Sequence, residues 1–121
     1  MQYGLKAEIV KQINSIFAKY EDIDEVVLYG SRAKGNYKPG SDIDLVLKGN
    51  KINLKLLNKI SLDLDDLLLP YSFDLAIFHH ISNWDLLEHI ERVKKVFYKN
   101  SYQDPLSIKI LTEAQIEIIK L

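Results

Sequence analysis

The stretch VVLYGSRAKGNYKPGSDIDLVL, residues Val26–Leu47, decides the fold and the chemistry expected of this chain. Its first part, Val26–Tyr29, is rich in β-forming residues and ends at a glycine, so it predicts a buried strand. Its last part, Ile43–Leu47, predicts a second strand, with Asp42 and Asp44 at the start. Because side chains two residues apart in a strand point the same way, both carboxylates are expected on one face of the sheet.

Gly30 and Ser31 follow the first strand directly, and a short helix is predicted over residues 31–34. A glycine at this place lets the backbone approach a phosphate, and the Ser31 hydroxyl adds a hydrogen-bond donor. Two close carboxylates repel each other unless a cation lies between them, and Mg²⁺ combines such oxygen ligands with substrate phosphates. Each pair alone also fits a structural role, a strand-ending turn or solvent-facing acids. Only their order along the chain favours a nucleotide site.

The remaining sequence alternates helix and strand patterns. Apolar residues recur at three- and four-residue spacing in three further segments, and one more β-rich run contains a third acidic residue, Asp74. We therefore expect an α/β (α+β) domain with a small mixed sheet of about three strands and helices packed on one face. The predicted elements are a helix over Leu5–Phe17, a helix over Asn53–Leu69 stopped by Pro70, a strand over Phe73–Phe78, and a helix over Asn83–Tyr98 with Ser82 as its cap.

Length and composition restrict the class of protein. The chain has 121 residues, which predicts one domain over residues 1–100 and an extension over residues 101–121 that carries a short helix. A net charge of -1 gives no strong signal for nucleic-acid binding, and no cysteine is present. No apolar run approaches the ~18 residues of a membrane span, so we expect no membrane partner and a cytoplasmic location.

In combination, Gly30–Gly35 (GSRAKG) and Ser41–Leu45 (SDIDL) resemble the nucleotidyltransferase superfamily that includes DNA polymerase β, most closely its minimal single-domain members. The family signature is a Gly-Ser turn, an Asp-x-Asp pair about a dozen residues later, and a third acidic residue on a later strand. The resemblance implies a polymerase β-like fold, with helix and strand order matching over most of the chain. It covers roughly residues 5–98.

The resemblance also implies roles for individual residues. Gly30 and Ser31 correspond to the pair that holds the β- and γ-phosphates of a nucleotide, and Asp42 and Asp44 to the two metal ligands. Asp74 corresponds to the third carboxylate, which helps to bind a second metal and activates the acceptor hydroxyl. Arg32 and Lys34 lie beside the turn, where each either contacts the polyphosphate or is a solvated surface charge. Two Mg²⁺ ions and ATP are the implied cofactor and substrate, and an acceptor oxygen would attack the α-phosphorus.

The implied partner is a small helical protein of the HEPN class encoded nearby. In some such pairs the partner is a toxic ribonuclease, which the nucleotidyltransferase neutralises by transferring AMP to a tyrosine. We therefore expect a protein adenylyltransferase that acts as an antitoxin. Leu54, Leu62 and Leu69, which fall off the main apolar stripe of the third helix, either contribute to the partner interface or are partly buried within the monomer. Two alternatives stay open: a non-catalytic subunit that binds nucleotide or partner alone, and a small-molecule adenylyltransferase. Homo-oligomer formation is also open.

Other polar clusters favour structural interpretations. His79 and His80 follow a strand without a third ligand at suitable spacing, which predicts loop or surface residues. Asp63, Asp65 and Asp66 are spread around a predicted helix, so a solvated face is favoured for them.

Overall fold

Two inner strands organise a four-stranded mixed sheet in the computed structural model, which describes residues 1–100. β1 (Glu25–Tyr29) pairs antiparallel with β2 (Ile43–Lys48) on one side and with β4 (Lys95–Lys99) on the other. β3 (Phe73–Ile77) pairs parallel with β2, which gives the spatial order β3-β2-β1-β4. The carboxylate-bearing strands β2 and β3 are therefore neighbours.

Within residues 1–100, one helix precedes the first strand, and three helices and a short 3₁₀ turn at Phe78–His80 connect the strands. Two of the helices have an N-cap asparagine whose side-chain oxygen accepts a hydrogen bond from the backbone three residues on, at 2.9 Å for Asn53 and 3.1 Å for Asn83. The second of these helices is therefore capped by Asn83 and not by the predicted Ser82. The shortest helix begins at Gly30 and ends at Gly35, which adopts the left-handed conformation at φ 92°. The helices are α1 (Ala7–Phe17), α2 (Gly30–Lys34), α3 (Leu54–Asp65) and α4 (Trp84–Val93).

The sheet has an apolar layer on each face. On one face, Val26 and Leu28 of β1 pack in the main core with buried side chains of α1 and α3. On the opposite face, Val27 and Tyr29 form a smaller layer with Val46 and with Ile90 of α4. β1 is thus buried on both faces, which explains its short, continuous apolar run. Asp44 points to the same face as Val46, so the smaller layer is next to the predicted site.

The α/β fold class is confirmed, but two details of the prediction are wrong. The sheet has four strands instead of about three, and the helices cover both faces because α4 packs opposite α1 and α3. The fourth strand arises where a helix was predicted to continue to Tyr98. Lys94 takes an extended backbone, with ψ 144°, and the β-forming residues that follow pair with the open edge of β1.

The predicted end of the third helix is also wrong. α3 ends at Asp65, four residues before the expected end at Leu69, and its C-cap is Asp66. Leu68 then takes a left-handed backbone at φ 55°, so Pro70 is not the residue that stops the helix. The predicted helix in the C-terminal extension lies outside the described residues. Within residues 1–100, no helix is long and apolar enough to cross a membrane.

Candidate functional site

Gly30 lies directly against the carboxylate of Asp44. It has a left-handed backbone at φ 73°, and a Cβ added to it would lie 3.1 Å from Asp44 Cγ and would collide with Asp44 Oδ2. Asp44 is opposite Tyr29 in the β1–β2 register, so the strand pairing itself brings the Gly-Ser turn to this carboxylate. The two halves of the sequence motif therefore meet at one point of the fold.

Asp74 is the lateral neighbour of Asp44, because the parallel register of β2 and β3 places the two residues opposite each other. The pKa of Asp44 is raised to about 6. The largest cause is burial, followed by the negative charges of Asp74 and Asp42, with a hydrogen bond to the Asp74 side chain adding to the effect. Asp74 itself is exposed. The pair therefore consists of a half-buried carboxyl group, Asp44, beside an exposed one, Asp74.

Asp42 lies just before β2 and is exposed, and its negative charge contributes to the raised pKa of Asp44. Within residues 1–100, however, no three His, Asp or Glu side chains are grouped closely enough to hold one metal ion together. The pair Asp44 and Asp74 nevertheless fits Mg²⁺, because the two adjacent carboxylates offer hard oxygen ligands and the negative charge of Asp74 raises the pKa of Asp44. Such a site would be completed by water and substrate phosphates.

Tyr29 forms the buried floor of this acidic site. It is 8% exposed, and its ring meets the imidazole of His89 on α4 edge to face, with 6.2 Å between centroids. Burial, with the nearby charges of Asp74 and Asp44, raises the pKa of Tyr29 to about 12. The phenol therefore stays neutral at physiological pH. Sequence reasoning missed His89, since only its position next to buried Ile90 on the amphipathic helix could have indicated it.

Arg32 is buried in the loop side of the site. Its guanidinium donates hydrogen bonds to the backbone carbonyls of Tyr3, Pro39 and Ser41. Its positive charge opposes the rise in the pKa of Asp44. The expected contact of Arg32 with a nucleotide stays a prediction, and the donors shown here are directed at the protein. Ser31 is half-buried beside Gly30, and Lys34 is exposed.

The residues predicted for a partner interface separate into two groups. Leu54 and Leu62 on α3 are 62% and 64% exposed, whereas Leu69 packs against the main core. His79 and His80 are exposed next to each other after β3, as the sequence predicted. Asp63, expected on a solvated face, accepts a hydrogen bond from the Tyr20 hydroxyl.

Comparison with known proteins decides the family. The family described as polymerase beta, nucleotidyltransferase matches residues 11–103, more than three quarters of the chain. The chain belongs to this family. The resemblance inferred from the Gly-Ser and Asp-x-Asp motifs is therefore confirmed, and so is the polymerase β-like fold. No curated protein matches the sequence.

Solved structures of similar fold come from toxin–antitoxin complexes. A toxin–antitoxin crystal structure with AMP-PNP matches with a TM-score of 0.63 and 18% identity, over 88% of this chain and 87% of the other. The MntA-HepT complex matches at 0.59 and 16%, over 92% and 88%. A tri-AMPylated HEPN toxin in complex with MNT antitoxin, from Shewanella oneidensis, matches at 0.52 and 17%, over 90% and 85%. At these identities the likeness shows a common fold.

Proposed function

We propose that this chain transfers AMP from ATP to a tyrosine hydroxyl of a HEPN-type protein, and that it acts as the antitoxin of that partner. The observation that carries the proposal is the contact of Gly30 with Asp44, beside Asp74, because it joins a phosphate-binding turn to a carboxylate pair. Support comes from the family and from two similar folds, one with AMP-PNP and one with a tri-AMPylated HEPN toxin.

Each residue of the site has a part in the proposed reaction. The backbone of Gly30 and the hydroxyl of Ser31 bind the terminal phosphates of ATP and orient the α-phosphorus toward the acceptor. Asp44 and Asp74 would hold Mg²⁺, with Asp42 adding a third negative charge beside them, and the ion would supply charge neutralisation of the triphosphate and a lower acceptor pKa.

The bond changes balance as a transfer of one group. The acceptor oxygen bonds to the α-phosphorus, the bond from that phosphorus to the bridging oxygen breaks, and pyrophosphate leaves. Asp74, the open carboxylate of the pair, takes the proton of the acceptor hydroxyl. The buried phenol of Tyr29 stays neutral beside the pair and adds no further negative charge to the site.

Labelled ATP tests the proposal directly. The purified chain is incubated with Mg²⁺, the candidate HEPN-type partner, and ATP that carries the label on either the α- or the γ-phosphorus. We expect the α-label, and never the γ-label, to appear on the partner, and a Tyr→Phe change at the modified residue to remove it. Label from γ-ATP would instead indicate a kinase and contradict the proposal.

Matched carboxylate variants separate catalysis from binding. Asp44→Asn removes the central carboxylate, and Asp65→Asn makes the same change at an exposed position on α3. We expect the first to lose transfer and neutralisation together and the second to keep both. If Asp44→Asn still neutralises the partner without transferring label, the non-catalytic subunit is the correct function. Label on a small molecule alone would favour the third class of activity.

A further inference from the structure

Arg32 is only 2% exposed, yet its side chain carries a positive charge. A buried guanidinium is costly unless its donors are satisfied. Here Nε and Nη2 both donate to the Ser41 carbonyl, at 3.1 and 2.9 Å, and Nη2 also reaches the Pro39 carbonyl at 3.3 Å. Nη1 donates to the Tyr3 carbonyl at 2.9 Å. Three backbone carbonyls, from separate positions in the chain, thus hold the side chain in place.

The Ser41 carbonyl is the most consequential of these acceptors, because it belongs to the peptide unit that Asp42 shares. A peptide unit is planar, so two hydrogen bonds to this oxygen fix the orientation of the backbone nitrogen of Asp42. On the other side of Asp42, the nitrogen of Ile43 donates to the Ser72 carbonyl at 2.9 Å. Asp42 is exposed, but its backbone is held at both ends.

The same guanidinium contacts the segment that leads to Asp74. Its carbon lies 5.1 Å from the ring centroid of Tyr71, three residues before Asp74, and 5.3 Å from that of Tyr37 in the loop before Asp42. Both distances are in the range of cation–π attraction. Arg32 therefore touches the segments that precede two carboxylates on different strands.

The N-terminal turn also packs against the guanidinium. Tyr3 takes a left-handed backbone at φ 57°, and a Cβ at Gly4 would lie 2.7 Å from Tyr37 Cζ and 2.9 Å from Arg32 Nη1. The backbone at Gly4 therefore packs closely against the guanidinium and the Tyr37 ring. The packing fits a fixed part of the scaffold better than a side chain that reaches out to substrate.

We propose that Arg32 is a positioning residue for nucleotidyl transfer, which places Asp42 through the Ser41 carbonyl and supports the Asp74 segment through Tyr71, without contacting the nucleotide. This inference rests on the proposed function and assigns a role different from the phosphate contact that the sequence suggested. Lysine cannot replace it, because a single ammonium group lacks the planar fork that reaches three carbonyls.

The test is the affinity for Mn²⁺ without nucleotide, which a merely structural role of Arg32 would leave unchanged. Arg32→Lys is compared with Arg92→Lys, the same change at an exposed arginine on α4. Paramagnetic resonance of the free ion measures Mn²⁺ binding. We expect Arg32→Lys to bind Mn²⁺ about tenfold more weakly than the original protein, with a matching fall in kcat. The KM for ATP at saturating metal should stay within about twofold of the original value, because no nucleotide contact is lost. Arg92→Lys should change none of these.

A raised KM for ATP with unchanged Mn²⁺ affinity would overturn the proposal in favour of direct nucleotide contact, and so would Mn²⁺ affinity equal to that of the original protein. If Arg32→Lys does not fold, Tyr71→Leu provides the measurement, since it removes one ring and no hydrogen bond. It should weaken Mn²⁺ binding in the same direction, and unchanged affinity overturns the proposal. Arg32-dependent Mn²⁺ binding in a protein that transfers no label would contradict the proposed function but not the positioning role of Arg32.

Discussion

Gly30 meets two demands at a single Cα. Its left-handed backbone costs any other L-residue about 1–2 kcal/mol, and a side chain there would also displace the Asp44 carboxylate. We predict that Gly30→Ala lowers the free energy of unfolding by at least about 2 kcal/mol and abolishes transfer of the α-label. Urea unfolding and the labelling assay measure the two effects separately.

Gly35 is the matched control for this prediction. It has a similar backbone, at φ 92°, but a Cβ there would meet nothing within 4 Å. Gly35→Ala should therefore cost about 1 kcal/mol and leave transfer nearly intact. Equal loss of activity in both variants would mean that the contact with Asp44 is not what requires the glycine.

The charge of Asp44 predicts a pH dependence of the metal-free protein. Its pKa in the folded chain, about 6, is above the ordinary value of 3.8, so folding favours the protonated acid. Stability from this group is complete below pH 4 and is lost as the pH rises toward 6. We expect Asp44→Asn to be more stable than the original at pH 7 by about 1 kcal/mol, a figure reduced for solvent screening. Denaturant curves at pH 4 and pH 7 measure the difference.

Asp65→Asn serves as the comparison, since Asp65 is exposed on α3 and is not part of the acidic site. Added Mg²⁺ should raise the stability of the original protein at pH 7 but not that of Asp44→Asn. If Asp44→Asn is no more stable at pH 7 than at pH 4 relative to the original, the carboxylates do not destabilise one another.

At the scale of elements, the sequence predicted the position of every strand that bears a site residue. β1, β2 and β3 lie within a residue of their expected bounds, because each is a short β-forming run ended by turn residues. The error at β4 has a physical cause. The apolar residues of 84–98 fit a helical spacing throughout, and only the free edge of β1, a long-range feature, draws Lys95–Lys99 into the sheet.

Tyr20 and Asp63 connect the end of α1 to α3 through a side-chain hydrogen bond that no local pattern could predict. We expect Tyr20→Phe to lower the free energy of unfolding by about 1 kcal/mol at pH 7. Burial, then the hydrogen bond to Asp63, raises the pKa of Tyr20 to about 12, so its contribution should be complete below pH 10 and lost between pH 10 and 12. A double-mutant cycle with Asp63→Ala isolates the pair, and additive effects would contradict the bond.

For the molecule as a whole, the site depends on the smaller of two apolar layers. Sequence periodicity identified α4 as amphipathic but could not say which face of the sheet it covers, since that depends on the path of the chain between β3 and β4. In the structure α4 covers the face of Asp44, where Ile90 packs with Val27, Tyr29 and Val46. The prediction that helices pack on one face therefore missed the packing of α4 beneath the acidic site.

This arrangement predicts that two equivalent core changes differ in their effect on function. Ile90 is 2% exposed under the site and Ile60 is 0% exposed in the main core, so either Ile→Ala change should cost about 2–5 kcal/mol. Ile90→Ala also loosens Tyr29 below the carboxylates, and we expect its kcat, corrected for the folded fraction, to fall about tenfold. Ile60→Ala should retain its kcat after the same correction, because α3 packs on the opposite face of the sheet. Equal corrected rates in the two variants would show that the smaller layer does not position the catalytic face.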